Sequence, residues 1–328
     1  MSFGKLALLC AVVLAAPVAS QAGVILFQDN FDTDSSGNWS FNSHIASDAP
    51  DDTLGNEANY FFDYSTVGIP SAPNSVGGTT RGLMMQANVP GTAVFTGAST
   101  SPLNQSFTGD YVLRTDVWQN FPGPFPAGGT GSTQMTWAGV GTNGTTAQFP
   151  GTSVQGIGFA ASGDGGTASD YRIYTNVGAP LAPATGAYAA GTQSTAQNNT
   201  DPYYAANGFG SETAPQDQLD DFPQQTGTTA PGTQGMAWHQ WEITRTGNII
   251  TWEVDGVLMG TFDATSEPFG GDNFFLGQFD INATTADSEG APLLFGLFDN
   301  VRVEVVPEPG TLSLLAAAGL LALRRRRK

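Results

Sequence analysis

The chain has 328 residues, with 11 basic and 29 acidic side chains, a formal charge of −18 and only 12% charged residues. That balance excludes a basic nucleic-acid binder, and aromatic residues at 11% supply apolar surface for a folded core. Glycine (42) and proline (20) are raised, yet without the strict period of a collagen. The N-terminus opens with Lys5, an apolar run from Leu6 to Ala16, and Ser20-Gln21-Ala22. A short positive region, a short apolar run and small residues before a cut site are the parts of a signal peptide. Residues 1–22 are therefore expected to be removed; the alternative is a retained membrane helix, for which the run is short. Cys10, the single cysteine, lies inside this run, so the mature body has no disulfide. Leu9 stands before Cys10 where a lipoprotein anchor needs a small residue.

From Val24 to Val306 five arginines face 28 acids, a net charge of −23. Such a body repels phosphate backbones and anionic lipid heads, and it attracts cations. No sustained helical period occurs in it. Short runs rich in Val, Ile, Thr and aromatics predict strands over 24–28, 82–88, 111–120, 134–141, 155–161 and 171–175. Further strands are predicted over 238–246, 249–254, 257–262, 274–279 and 294–305. Thr246-Gly247-Asn248 and Asp255-Gly256 are hairpin turns, so 238–262 forms a three-stranded meander. Residues 178–235 are dominated by Ala, Thr, Gln, Asn, Gly and Pro. They are expected to form a long surface excursion with a few anchors: Tyr188, Tyr203, Tyr204, Phe209, Leu219 and Phe222. Many strands and almost no helix predict one all-β, antiparallel jelly-roll sandwich domain over 23–305.

The C-terminal part, 306–328, has three pieces in order: Val306-Pro307-Glu308-Pro309, an apolar run from Leu312 to Leu323, and Arg324, Arg325, Arg326, Arg327 and Lys328. As a helix the run would span roughly 18 Å, short of a hydrocarbon core of roughly 30 Å. The basic end stays cytoplasmic by the positive-inside rule. This tail resembles the PEP-CTERM sorting signal. The resemblance implies export in a Gram-negative bacterium, a transient inner-membrane anchor, recognition by an exosortase-type protease, and delivery to the cell surface or extracellular polysaccharide. It makes Pro307, Glu308 and Pro309 substrate residues of the sorting enzyme, with Arg324 to Arg327 as the basic stop. An ordinary tail anchor is the alternative.

The meander, the opening segment QDNFDTDSSGNW and the closing strand LFGLFDNVRVEVV resemble the concanavalin A-like lectin/glucanase superfamily, laminin-G-like modules included. That resemblance implies two curved antiparallel sheets, with polysaccharide bound or cut on the concave one.

Catalysis is weakly signalled. Retaining glycosidases need two carboxylates about 5 Å apart. The glucanases carry them on one strand as Glu-x-Asp-x-x-Glu. Glu253-Val254-Asp255 looks like half of that motif, but Asp255 belongs to the Asp-Gly turn, and the strands 134–141 and 155–161 hold no acid. His44 and His239 are far apart and lack partners for a zinc site or a nucleophilic triad. Structural Ca²⁺ is the stronger chemical expectation. The superfamily holds an ion between its N-terminal segment and an Asp of its last strand. By resemblance the ligands are Asp29, Asp32 and Asp299, with turn-capping aspartates as the alternative. For sugars, which stack on aromatic rings, the candidates are Trp118, Phe121, Phe125, Trp137 and Tyr171, against the alternative that strand aromatics fill the core. The expected function is an exported, non-catalytic surface or exopolysaccharide-matrix protein that contacts glycan. A purely structural matrix component and a glycoside hydrolase or lyase are the alternatives.

Overall fold

The computed structural model describes residues 23–44, 56–87, 96–126, 134–150, 154–176, 178–281 and 290–306. The predicted signal peptide and the tail from Pro307 onward lie outside the described residues. Among the described residues no helix is long and apolar enough to cross a membrane.

Fourteen strands form two antiparallel sheets among the described residues. They are β1 (Ile25–Asp29), β2 (Trp39–His44), β3 (Glu57–Asp63), β4 (Arg81–Gln86), β5 (Thr96–Pro102), β6 (Tyr111–Asn120) and β7 (Gln134–Thr142). The rest are β8 (Ile157–Ala161), β9 (Tyr171–Tyr174), β10 (Trp238–Thr246), β11 (Ile249–Val254), β12 (Val257–Asp263), β13 (Asn273–Asp280) and β14 (Phe295–Val305). The larger sheet runs β12-β11-β10-β6-β14-β4-β3, and β1 shares an edge of β14 with β4. The smaller sheet runs β2-β5-β13-β7-β8-β9.

Alternation along each strand decides what lies between the sheets. On β6, Tyr111, Leu113 and Val117 face inward, with Trp241 and Ile243 of β10 and Phe298 and Val303 of β14. From the smaller sheet come Ala138, Val140, Phe159, Phe274 and Leu276. Each large apolar side chain buried this way contributes about 1.5–3 kcal/mol. The meander forms as predicted: Asp255 takes φ 49° and Gly256 φ 74°, the left-handed pair that a two-residue hairpin turn requires.

Strands β2, β3 and β5 are not among the predicted runs. The sequence of β5, Thr-Gly-Ala-Ser-Thr-Ser-Pro, holds no large apolar side chain, yet all seven residues are buried between β2 and β13. Small residues are chosen there by close packing: a Cβ on Gly97 would sit 2.7 Å from Phe279 Cβ. The excursion 178–235 is ordered by its anchors. It holds α1 (Pro202–Ala205), capped by Asp201, and α2 (Gln216–Asp221). Tyr188, Tyr204 and Phe209 join the main core, whereas Tyr203 is exposed.

Two further apolar clusters lie on the outer faces of the sheets. On the larger sheet, Trp118, Phe121, Phe125 and Leu297 pack with Tyr64, Ile69 and Met236. On the smaller, Trp137 packs with Met135, Phe149, Tyr174, Phe275 and Phe279. The Trp137 ring lies over Gly277, where a Cβ would come within 2.4 Å of its Nε1.

Candidate functional site: a polar groove beside a buried carboxylate pair

Strand β14 bends where β4 leaves its edge and β1 joins it. Gly296 to Phe298 pair with β4, and Val301 to Glu304 pair with β1. Between them Asn300 takes φ 52°, and the register against β6 slips between Asp299 and Arg302. A bulge of this kind re-aims side chains. It brings Asp299 directly opposite Asp116 of β6 on the outer face.

Both carboxylates are buried, at 1% exposure each, and both are surrounded by donors. Asp299 Oδ2 accepts from the Tyr64 hydroxyl (3.0 Å) and the Ser75 hydroxyl (2.8 Å), and its Oδ1 accepts from Asn300 N (2.7 Å). Asp116 accepts from Asn74 Nδ2 (2.7 Å), Asn74 N (3.1 Å) and Asn300 Nδ2 (2.9 Å). Burial pushes the Asp299 carboxyl up to about 7, and the neighbouring Asp116 charge adds to the rise. Burial also raises Asp116, against the pull of Asn74 and Asn300. The pair thus braces the segment from Tyr64 to Asn74 and Ser75 against the sheet.

Next to the brace lies an open groove of about 530 Å³. It is lined by Gln28, Asn30, Asn74, Arg114, Gln240, Asn300, Arg302 and Glu304, among others. Arg114 is held from both sides, by Glu242 of β10 (3.1 Å) and by Glu304 of β14. Glu304 also binds Arg302. The wall is therefore mostly amides and fixed ion pairs, with Val76 and Val301 as its apolar part. Amide groups both donate and accept, and a clamped guanidinium donates in a fixed direction.

The sequence-predicted residues fall elsewhere. Trp118, Phe121, Phe125, Trp137 and Tyr171 are all buried, Trp137 at 0% and Tyr171 at 1%. The expected aromatic platform is therefore corrected to core: Trp118, Phe121 and Phe125 fill one outer cluster, Trp137 another, and Tyr171 packs against the tilted ring of Tyr204 at 4.5 Å. None of these five rings is open to solvent; the exposed rings among the described residues are Phe41, Phe61 and Tyr203.

The calcium set is not assembled either. Asp299 turns outward to Tyr64, while Asp29 Oδ2 accepts from the Trp39 indole (2.8 Å), which belongs to the core between the sheets. Asp29 lies on the groove wall with Asn74 and Asn300, but both of its oxygens are taken by donors of the chain itself. Asp32 Oδ2 takes the amide of Asn30. Asp29 also caps its own turn through Phe31 N (2.9 Å), the alternative use of such residues. Among the described residues no cluster of three or more His, Cys, Asp or Glu is placed to hold a metal.

Asp255 sits in its turn as expected, and its side chain reaches back to β10. Its Oδ1 accepts from Gln240 N (2.7 Å) and its Oδ2 meets His239 Nδ1 (2.7 Å). His239 is buried against Phe209, and His44 stacks on Phe149 at 4.3 Å. Neither histidine has a nucleophile among its contacts. Sequence reasoning missed Asp116, Asn74, Gln240 and Asn300. The one available signal was an acid, Asp116, in the middle of a strand; its partner lies 183 positions away.

Comparison with known proteins adds two findings. Residues 305–328 match the family model for the PEP-CTERM protein-sorting motif. No curated protein sequence matches the chain. Among solved structures, a Bacillus subtilis protein of unknown function with a galectin-like fold is 8% identical, with 86% of this chain and 96% of that one covered and a TM-score of 0.43. A Bacillus licheniformis β-glucanase is 14% identical, with 87% and 100% covered and a TM-score of 0.41. The carbohydrate recognition domain of Emp47p is 7% identical, with 84% and 100% covered and a TM-score of 0.38. These are likenesses of fold alone. The chain thus ends in a PEP-CTERM protein-sorting motif, and its body is an all-β sandwich of two antiparallel sheets.

Proposed function

We propose that the protein is exported, processed by an exosortase-type enzyme, and acts at the cell surface or in extracellular polysaccharide as a non-catalytic glycan-binding component. The observation that carries the export half is the sorting motif at 305–328. The glycan half rests on the groove. Its volume of about 530 Å³ suits a ligand of a few rings, and its amides and clamped arginines suit hydroxyl groups that both donate and accept. Its charges nearly cancel in a body that is otherwise strongly acidic, which favours a neutral polysaccharide over a polyanion.

A hydrolase reading would draw on Asp116 and Asp299, a pair of facing carboxylates with one raised to about 7. Hydrolysis needs such a pair open to substrate. Here both are 1% exposed and saturated by donors of the chain itself. We therefore assign the pair to bracing. Screening the purified full chain against an array of polysaccharides tests the reading. Saturable binding to one class, without release of reducing ends, is expected. Release of reducing ends that is lost in Asp116→Asn would replace it with the hydrolase.

A further inference from the structure

A second polar site lies inside the sandwich, away from the groove. A cavity of about 10 Å³, the size of one water molecule, sits among Gln119 of β6, Gln134 and Thr136 of β7, Ser162 and Asp164 after β8, and Gln278 of β13. Every one of these residues is buried, Asp164 at 1% and Gln119 at 3%.

The donors of the lining are committed elsewhere. Gln119 Nε2 donates to Ala161 O (2.7 Å), and Gln134 Nε2 to Ala87 O (2.7 Å). Gln278 Nε2 donates to Gln134 Oε1 (3.2 Å), and the Thr136 hydroxyl to Gln278 Oε1 (2.7 Å). The Ser162 hydroxyl lies close enough to Asp164 to ease its ionisation, but its single hydrogen goes to Asp170 Oδ1 (2.9 Å). Asp164 Oδ1 accepts from Gly166 N (2.9 Å). Two acceptors are left over: Asp164 Oδ2 and Gln119 Oε1 have no hydrogen-bond partner among the described residues. Both residues line the cavity, and Gly163, next to Asp164, packs on Gln119: a Cβ there would meet Gln119 Oε1 at 2.7 Å.

An unpaired buried carboxylate oxygen is costly, and so is an unpaired buried amide oxygen. The cavity thus sets two free acceptors and one negative charge beside an apolar wall of Phe121, Leu294 and Phe295, with room for one water-sized body. A water molecule supplies hydrogens but leaves the charge. A divalent ion brings two charges against one carboxylate. We propose that this cavity binds a single monovalent cation of sodium size, coordinated by the Asp164 carboxylate and the Gln119 amide oxygen. Asp170, buried next to Asp164, deepens the negative potential there.

The competitor is a proton. Burial pushes the Asp164 carboxyl up to about 8 when no cation is near, and the charge on Asp170 adds to it. The experiment is therefore run at about pH 8.5, where the proton competes least. The purified full chain is melted in sodium chloride and in choline chloride at equal ionic strength. Sodium is expected to raise Tm saturably, by about 3 °C or more, and Asp164→Asn is expected to melt alike in both salts. If Asp164→Asn does not fold, Gln119→Leu takes its place and must shrink the sodium shift. As a second arm, Gln119→Glu adds a charge and is expected to shift the preference toward calcium. Equal Tm of the wild-type chain in sodium and choline overturns the proposal. So does a sodium shift that survives in the variants.

Discussion

The chain buries carboxylates in two ways. On the outer face of the larger sheet, Asp116 and Asp299 each accept three hydrogen bonds from the chain. Inside the sandwich, Asp164 accepts one, and its second oxygen meets no donor among the described residues. Both pairs of surroundings raise the carboxyl, through the same burial. The difference lies in what the protein itself completes. A saturated carboxylate is a fastener for the chain around it. An unsaturated one is a site that something else completes.

The largest effect expected from that contrast is Asp299→Ala. It strips the acceptor from the Tyr64 hydroxyl, the Ser75 hydroxyl and Asn300 N at once, so a loss of about 3 kcal/mol is expected in urea unfolding. A loss below about 1 kcal/mol would remove the fastener role. Asp164→Asn should act in the opposite direction. In sodium-free buffer above pH 8 it removes a buried charge without an acceptor's worth of lost bonding, and a gain of about 1 kcal/mol is expected by the same measurement. A loss there would erase the distinction between the two sites.

The pH profile sharpens the contrast further. A carboxyl whose folded pKa is raised binds a proton in the folded state before the unfolded state does, so stability falls as pH rises between the two values. For Asp299 that window runs from 3.8 to about 7, and for Asp164 from 3.8 to about 8. Asp116 and Asp170 shift the same way. Asp34, Asp63, Asp201 and Asp263 are lowered, and their contribution is lost only below about pH 4. Stability in choline buffer is therefore expected to rise as pH falls from about 8 to about 4 and to drop below that. Asp299→Asn should flatten the slope between about pH 4 and about 7, and Asp164→Asn should flatten it all the way to about pH 8. A profile that peaks above pH 7 would contradict these assignments.

The smallest stability effect belongs to the groove. Arg114 is about one-third exposed and its ion pairs are half in water, so Arg114→Ala should cost about 1 kcal/mol or less. If the groove binds glycan, the same change removes binding, so function and stability separate there as they cannot at Asp299.

How much of this could be read from the sequence follows from range. The strands 111–120, 238–246 and 249–254 were legible to the residue, because alternation and the Asp-Gly turn are local signals. The export tail was legible as a local string as well. Strand β5 was not, because its small polar residues are selected by Phe279 and Phe149 from distant parts of the chain. The aromatic candidates failed for a related reason. Trp137 sits on the outer face of its strand, where sequence places it toward solvent, but Phe275, Phe279 and Tyr174 enclose it. Asp116 and Asp299 become a pair only through the β6–β14 register, and Asp29 is drawn to the Trp39 indole instead of to Asp299. No local pattern encodes that.

Glycan binding in the groove is tested most directly by its polar wall. Saturable binding of the purified full chain to one neutral polysaccharide class, lost by at least tenfold in both Arg114→Ala and Gln240→Ala while their melting temperatures stay near that of the wild-type chain, is the expected result. Binding that is unchanged in both variants, or no binding to any polysaccharide by the wild-type chain, would contradict it.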